Sequence, residues 1–148
     1  MTIELTPPGA PDDPLTTMDA LVQLAFLTQR ILSATGAEHD LSIIQIRLLG
    51  ILRDRQAGML ELGGHLGLDK SSMTGLVSRA ENRGLVQRSP SPHDRRAVLV
   101  SLTPLGQQLI TQCAAEINRR ITELTDHLST AERTQLTALA TTLVHSQP

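Results

Sequence analysis

A run of small polar side chains and cations on one helix face is the part of this sequence best suited to chemistry. This reading face and its flanks comprise Lys70, Ser71, Ser72, Thr74, Gly75, Ser78 and Arg79. Short hydroxyls exchange hydrogen bonds with base edges and cations attract phosphate, while the lack of bulk allows close approach to a groove. The alternative is an ordinary solvent-exposed face, but such faces usually carry Glu, Lys and Gln. The composition therefore favours a helix that enters the major groove of double-stranded DNA.

Two adjacent arginines follow in a hairpin. The strand-like segments 85–88 and 97–102 flank a loop that carries Arg95 and Arg96 near its tip. Arginines in this position reach outward, where a narrow, electronegative minor groove attracts them. Asp94 would face DNA poorly, so we interpret it as the residue that fixes the direction of an arginine. A plain charged surface turn is the alternative, and the preceding helix makes it weaker.

The distribution of charge supports this interpretation. Residues 69–103 hold six Lys/Arg against three Asp/Glu, whereas residues 1–68 hold four against eight and residues 104–148 three against four. The basic segment coincides with the reading face and the hairpin, although the net charge of the chain is −2. Charge alone would also fit a solvated basic surface. Its coincidence with the motif indicates a polyanionic partner.

A short helix and a tight turn must position the reading face. We predict a helix over about 60–66, a turn at Gly67 and Leu68, and an N-cap at Asp69. The second helix then runs to about Asn82, and Gly84 follows as its natural stop. This order of helix, turn, helix and hairpin is typical of a winged helix-turn-helix.

Two adjacent glycines in the short helix are unexpected. Gly63 and Gly64 would each cost about 1 kcal/mol relative to Ala in a helix interior. Close packing or a loose helix would explain them. We favour close packing at Gly63, and the sequence offers no account of Gly64.

Two helices are predicted before the motif. The first runs from Leu15 to about Ala34, is apolar on more than one face and ends at Gly36. Its pattern suits burial against a second chain, and a central core helix is nearly as good an interpretation. The second covers about 42–53 with Ser42 as its N-cap, and residues 54–58 form a loop.

Two more helices are predicted after the hairpin. Thr103 as N-cap and Pro104 at the first helical position begin a helix of about 24 residues, in which apolar side chains recur at steps of mostly four. This helix is too long to be buried along its whole length in one small domain. Residues 129–132 form a capping box that begins the last helix. We favour dimerisation through these helices over a monomeric antiparallel pair.

The expected fold class is mainly α (α+β), a winged helix-turn-helix lobe with terminal dimerisation helices. Residues 15–148 form a single domain, in which 42–103 are the winged lobe and 15–36 and 104–146 are the dimerisation helices. Residues 1–14 carry four of the eight prolines and are expected to be a flexible tail.

Other classes of function are poorly supported. The sequence lacks a nucleophile elbow, a phosphate loop, a metal-ligand cluster and a paired-carboxylate pocket, so we expect no enzyme, cofactor or metal site. His65 and Asp69 have helical spacing, but Asp69 is assigned to the cap. Cys113 is the single cysteine and is expected to be a small core or interface residue. Without a signal peptide or a spanning segment, the expectation is a cytoplasmic protein with no membrane partner.

Three segments resemble the MarR (multiple antibiotic resistance regulator) family of winged-helix repressors. Residues 94–106, DRRAVLVSLTPLG, are similar to the family's wing, second strand and start of the long helix. Residues 66–74 are similar to its turn and recognition helix, and residues 41–45 to the start of its second helix. The resemblance covers about 15–145. The pair Gly63-Gly64 departs from the family's usual Ala plus polar residue.

The resemblance implies a homodimer in which the first, fifth and sixth helices join the subunits above a pseudo-palindromic DNA operator. It places Arg96 in the minor groove, held by Asp94, and Arg95 at or near phosphate. The implied function is a sequence-specific transcriptional regulator. The alternative is a winged-helix protein-interaction module that does not bind DNA.

Many members of the family bind a small effector between the dimer helices and the DNA lobe. The residues that would line this cleft here are Phe26, Arg30, His39, Ile43, Arg47 and Leu109. The scarcity of aromatic residues argues against a ring-stacking ligand, and a helix-surface salt bridge is the favoured role of Arg47. Cys113 does not occupy the position of the reactive cysteine in peroxide-sensing members, so redox sensing is not inferred.

Overall fold

The computed structural model describes residues 13–148. This part of the chain contains six α-helices, a 3₁₀ turn (Leu52–Asp54) and a three-stranded antiparallel sheet. The helices and strands are, in order, α1 (Thr17–Ala37), α2 (Ile43–Ile51), β1 (Ala57–Gly58), α3 (Met59–Leu66), α4 (Lys70–Asn82), β2 (Val86–Pro90), β3 (Val98–Leu102), α5 (Pro104–Thr125) and α6 (Thr130–His145). The expected winged-helix fold class is confirmed. Most of the segment predicted to be a flexible tail, residues 1–12, lies outside the described part.

Local capping determines where most helices begin. At α2 the Ser42 hydroxyl accepts from the Gln45 N–H at 3.2 Å, and the Gln45 side chain accepts from the Ser42 N–H at 2.8 Å. Ser129 and Glu132 form the same reciprocal box at α6. Thr103 caps α5, with Pro104 as its first helical residue. These contacts satisfy N–H groups that lack partners within the helix, and they confirm the predicted starts.

The core is almost entirely aliphatic and lies within the winged lobe, with a contribution from α5. Its largest fully buried side chains are Leu48, Leu49, Leu62, Met73, Leu76, Val77, Val86, Val100, Thr35 and Cys113. Cys113 reaches this core from α5, which confirms the core option for that residue. Burial, with a contribution from the charge of Glu38, raises the pKa of the Cys113 thiol.

The predicted end of α1 at Gly36 is wrong, because the helix passes through this residue to Ala37. Gly36 is buried, and a Cβ there would run into the carbonyl oxygen of Leu41. The glycine therefore allows the chain to double back tightly against α1 rather than ending the helix. The chain reverses at Asp40, whose φ of 54° is in the left-handed region.

The segment predicted as a plain loop, residues 54–58, contains the short strand β1. Ala57 pairs with Val100 and Gly58 with Leu99, so β3 lies between β1 and β2 in the sheet. This pairing joins the base of the wing to the residue just before α3. The second helix also ends at Ile51, two residues before the predicted end, and continues as the 3₁₀ turn.

The terminal helices α1, α5 and α6 expose much of their apolar surface. Within the described chain, α6 buries none of its residues. Exposed large apolar side chains on or beside α1 and α6 are Leu15, Met18, Leu21, Leu24, Phe26, Leu27, Leu136, Leu139, Leu143 and Val144. None of the helices in residues 13–148 is both long and apolar enough to cross a membrane.

Candidate nucleic-acid interface

Two glycines make the helix-turn-helix compact. Gly67 ends α3 with a φ of 65°, a conformation that favours glycine. A Cβ on Gly63 would lie 3.0 Å from the Leu68 carbonyl oxygen and 3.4 Å from Met73 Cγ, so the predicted close packing at Gly63 is confirmed. A Cβ on Gly64 would meet nothing within 4 Å.

The N-terminus of α4 is held by Asp69 as predicted. Its carboxylate accepts from the Ser72 N–H at 2.7 Å, and this hydrogen bond lowers the pKa of Asp69. The apolar face of α4 is fully buried, with Met73 and Leu76 each 1% exposed. Because one face is fixed in the core, the reading face is directed outward. Its members are exposed except for Gly75 and Ser78, which are half-buried.

Two hydroxyls on the reading face already have protein partners. Thr74 donates to the Lys70 carbonyl oxygen at 2.8 Å, and Ser78 accepts from Arg88 Nη2 at 2.9 Å. The hydroxyl proton of Ser78 remains available for donation to an acceptor outside the protein. Arg88 lies on β2 and also pairs with Glu81 at 3.6 Å. Arg88 is not identifiable from the sequence, because its contact with Ser78 joins two elements and has no local spacing signal.

The wing tip, residues 94–97, is a tight turn organised by Asp94. The Ala97 N–H donates to the Asp94 carbonyl oxygen at 3.0 Å, and the Arg96 N–H donates to the Asp94 carboxylate at 3.0 Å. Asp94 thus acts on the backbone, and within the described residues it forms no ion pair with either arginine guanidinium. Arg95 and Arg96 occupy the two central positions of the turn and are exposed. β2 extends to Pro90, so the loop begins two residues later than predicted.

Within the described part of the chain, the cations of the reading face and wing tip have no carboxylate partners. Among residues 13–148, ion pairs involve Arg53, Arg55, His65, Arg88, Arg119, Arg120 and Arg133. The same part of the chain offers no such pair to Lys70, Arg79, Arg95 or Arg96. Unneutralised cations on one side of a lobe create a positive potential that attracts phosphate.

The six residues predicted to line an effector cleft lie on different elements of the subunit, and their role stays a prediction. Phe26 is 57% exposed on α1, and Arg30 is also exposed. Ile43, Leu109 and His39 are half-buried on α2, α5 and the turn after α1, respectively.

The contact made by Arg47 differs from the salt bridge expected from the sequence. It donates to the His65 carbonyl oxygen at 3.2 Å and, within residues 13–148, forms no ion pair. The helix-surface salt bridge favoured for it is therefore wrong. The contact joins α2 to the end of α3 within the winged lobe.

A groove between α2 and α5 offers a different location for a ligand. Its volume is about 390 Å³, and it is lined by Ile46, Gly50, Arg53, Ile110, Ala114, Ile117, Asn118 and Ile121. It uses two of the three predicted helices but none of the six predicted residues. Its side chains combine an aliphatic surface with one guanidinium and one amide.

No group of three or more His, Cys, Asp or Glu side chains within residues 13–148 is placed to hold a metal ion. The side chain of His65 lies 3.1 Å from Arg55 Nη2 through its Nε2. Asp69 is committed to the α4 cap.

Comparison with known proteins gives consistent matches in sequence and in structure. The sequence model of the MarR family matches residues 39–97. The wild-type apo form of MarR from E. coli superposes with a TM-score of 0.75 at 25% identity, covering 89% of this chain and 98% of MarR. NadR, solved in complex with 4-hydroxyphenylacetate, shares the fold with a TM-score of 0.75 at 20% identity, covering 95% of this chain and 99% of NadR.

The assignment to a family rests on a relative that aligns over almost the whole chain. The HTH-type transcriptional repressor NicR of Pseudomonas putida is 32% identical, over 99% of this chain and 97% of NicR. The alternative of a winged-helix interaction module gains no support from these relatives. Together with the open reading face and the wing, this similarity shows that the chain belongs to the MarR family of DNA-binding transcriptional regulators.

Proposed function

We propose that the protein is a homodimeric repressor that binds a pseudo-palindromic DNA operator and is released by a small-molecule effector. Each subunit places the reading face of α4 in the major groove and the wing tip in the adjacent minor groove. The observation that carries this proposal is that Lys70, Arg79, Arg95 and Arg96, on the reading face and the wing tip, are exposed and form no ion pair within residues 13–148.

The two cationic regions have different roles in this proposal. Lys70, Arg79 and Arg95 contact phosphate, whereas Arg96 enters the minor groove and responds to its width. Ser71 and Ser72 are exposed near the start of α4 and supply hydroxyls to base edges or phosphate. Because phosphate contacts release counterions, affinity for the operator falls steeply as salt rises.

The exposed apolar surface of the terminal helices supports dimerisation. Leu139 on α6 is 59% exposed and Met18 on α1 is 57% exposed. A monomer rarely leaves an extended apolar surface open to water, so a second copy is the proposed cover. A two-fold dimer also supplies the paired reading helices that a pseudo-palindrome requires.

We place effector binding between α2 and α5. The groove there combines isoleucine side chains with Arg53 and Asn118, which suits a small apolar molecule with an anionic group. NadR, which shares the fold, was solved with such a molecule, 4-hydroxyphenylacetate. A ligand at this position would separate a helix of the winged lobe from the longest dimer helix. Phe26, Arg30, His39, Ile43, Arg47 and Leu109 remain the candidates for a wider cleft.

DNA titrations test the proposal directly. The affinity of the protein for its own upstream region is compared with that for random duplex of equal length, at several salt concentrations. We expect specific binding tighter by at least about a thousandfold, with log affinity falling linearly as log salt rises. Equal affinity for both duplexes would remove the specific-regulator assignment.

A matched pair of variants tests the wing. Arg96→Ala should weaken specific binding by about tenfold or more while leaving helicity and dimerisation unchanged. Arg55→Ala removes one cation from the same lobe, but this arginine pairs with Glu61 at 3.0 Å and should have a smaller effect. Undiminished binding by Arg96→Ala would count against the role of the wing.

A further inference from the structure

The turn that follows α1 is held in an uncommon conformation. Asp40 has a φ of 54°, which residues other than glycine seldom adopt. The N–H groups of His39 and Leu41 both donate to the Gly36 carbonyl oxygen, at 2.9 and 2.8 Å. None of the backbone hydrogen bonds of this turn uses the carbonyl oxygens of His39 and Asp40.

An arginine at the end of the recognition helix bonds to both of these carbonyl oxygens. Arg83, the C-cap of α4, donates from Nη1 to Asp40 O at 2.7 Å and from Nη2 to His39 O at 3.1 Å. The planar guanidinium fork suits two neighbouring acceptors, so the contact fixes direction as well as distance. Otherwise α4 packs mainly against α3 and β2, both within the winged lobe. Arg83 thus joins α4 directly to the turn that follows α1.

The long helix α5 also contacts this turn, through Arg120. Arg120 donates to the Glu38 carboxylate at 2.5 Å and to the hydroxyl of Thr35, which is fully buried, at 2.8 Å. Its Nε also donates to Glu116 at 2.8 Å. Residues 38–40 therefore form a junction that connects the longest terminal helix to the recognition helix through two arginines.

We propose that Arg83 is a positioning residue that sets the angle of α4 relative to the terminal helices, and thereby the half-site spacing that the dimer accepts. This inference rests on the proposed function. α4 has 13 residues and is about 20 Å long, so a small rotation at its C-terminal end displaces the reading end appreciably. The displacement occurs in both subunits, and the distance between the two reading helices changes accordingly.

The test measures spacing preference rather than affinity alone. Operator duplexes are prepared with the natural half-site spacing and with one or two base pairs added or removed at the centre. The wild-type dimer should prefer one spacing by about tenfold over its neighbours. Arg83→Ala should reduce that preference to about threefold or less. Arg83→Lys should give an intermediate value, because an ammonium lacks the fork that engages both carbonyl oxygens.

Arg55→Ala is the matched control. Arg55 also makes two side-chain contacts, to Glu61 and His65, but both lie within the winged lobe. This variant should keep the wild-type spacing preference, and thermal unfolding is measured for every protein. If Arg83→Ala lowers the melting temperature yet keeps the preference, the residue is merely structural and the inference is overturned.

The remaining outcomes distinguish failure of the Arg83 inference from failure of the proposed function. A loss of preference in Arg55→Ala equal to that in Arg83→Ala would overturn the inference, because lobe charge or stability would explain both. If Arg83→Ala does not fold, Arg83→Lys decides, and an unchanged preference overturns the proposal. A wild-type protein that binds no operator specifically would refute the proposed function itself, which is a distinguishable result.

Discussion

The winged lobe and the terminal helices distribute apolar surface and charge in opposite ways. The lobe has a fully buried aliphatic core, as Leu62 and Val77 illustrate, yet the cations of its reading face and wing tip form no ion pairs within the described part of the chain. The terminal helices expose leucines, whereas Arg119, Arg120 and Arg133 on α5 and α6 are all paired with carboxylates. Each region thus exposes the property that its proposed partner requires, which is positive charge for DNA and apolar surface for a second subunit.

The same contrast predicts that folding stability and subunit association depend on different regions of the molecule. The core that joins α2, α3, α4 and the sheet needs no second chain to exclude water from its side chains. α6 has no such core of its own within the described structure. Substitutions in the lobe should therefore alter folding, and substitutions on the terminal helices should alter association.

The largest effect is expected from truncation in the core of the lobe. Leu62→Ala removes a fully buried side chain from α3 and should lower the free energy of unfolding by about 2–5 kcal/mol. Leu60→Ala lies on the same helix at 89% exposure and should change it by no more than about 0.5 kcal/mol. Chemical denaturation at fixed protein concentration measures both. Equal effects would contradict the placement of α3.

The next effect concerns the terminal helices. Leu139→Asp puts a charge on the exposed apolar face of α6 and should weaken self-association by about tenfold or more. Thr134→Asp adds the same charge to the opposite face of α6, where it should matter little. Sedimentation across a concentration series distinguishes them. An unaltered dimer in Leu139→Asp would show that α6 lies outside the interface.

A smaller, pH-dependent effect is expected from the ion pairs on α5. Hydrogen bonds and charge from Arg119, with a further contribution from Arg120, lower the pKa of Glu116 from 4.5 to about 2. A depressed folded-state pKa stabilises the fold above pH about 4.5, and this contribution is lost as the pH falls towards about 2. Glu116→Gln should thus be less stable than wild type at neutral pH, and the difference should shrink progressively below pH about 4.5.

Denaturation of both proteins from neutral pH to about pH 3 measures this difference. Arg119→Gln provides the background that removes the largest cause of the shift. In that background the pH dependence of the Glu116→Gln effect should be much weaker. A difference that stayed constant with pH would refute the ion-pair explanation.

The smallest effect distinguishes two adjacent glycines. Gly64→Ala should raise the free energy of unfolding by about 0.5–1 kcal/mol, because its Cβ meets nothing within 4 Å and alanine favours the helix. Gly63→Ala should lower it, since its Cβ would lie 3.0 Å from the Leu68 carbonyl oxygen. Thermal unfolding of the pair gives opposite signs if α3 packs as described.

Local signals accounted for most of the fold. Ser42, Thr103 and Ser129 begin helices because a side-chain oxygen can satisfy free N–H groups within the same turn, and such spacing can be read from sequence. Asp69 and Gly84 defined α4 for similar reasons. The strand β1 was missed because a pair of residues has no alternating pattern, and only its pairing with β3 identifies it.

Long-range polar contacts could not be predicted in the same way. Arg83 lies 43 residues from Asp40, and Arg120 lies 82 residues from Glu38. No periodicity relates such positions. The groove between α2 and α5 likewise depends on how the two helices pack, and no local pattern in the sequence indicates it. The six residues assigned to an effector cleft by family likeness remain predictions. The roles of individual reading-face and wing residues remain predictions.

The single aromatic side chain has a practical consequence for spectroscopy. The chain has no tryptophan or tyrosine, and its one phenylalanine, Phe26, stands 57% exposed on α1. The native protein therefore has very weak absorbance and fluorescence in the near ultraviolet. A tryptophan introduced in place of Phe26 would be a sole fluorophore, and its emission would report subunit association against almost no background.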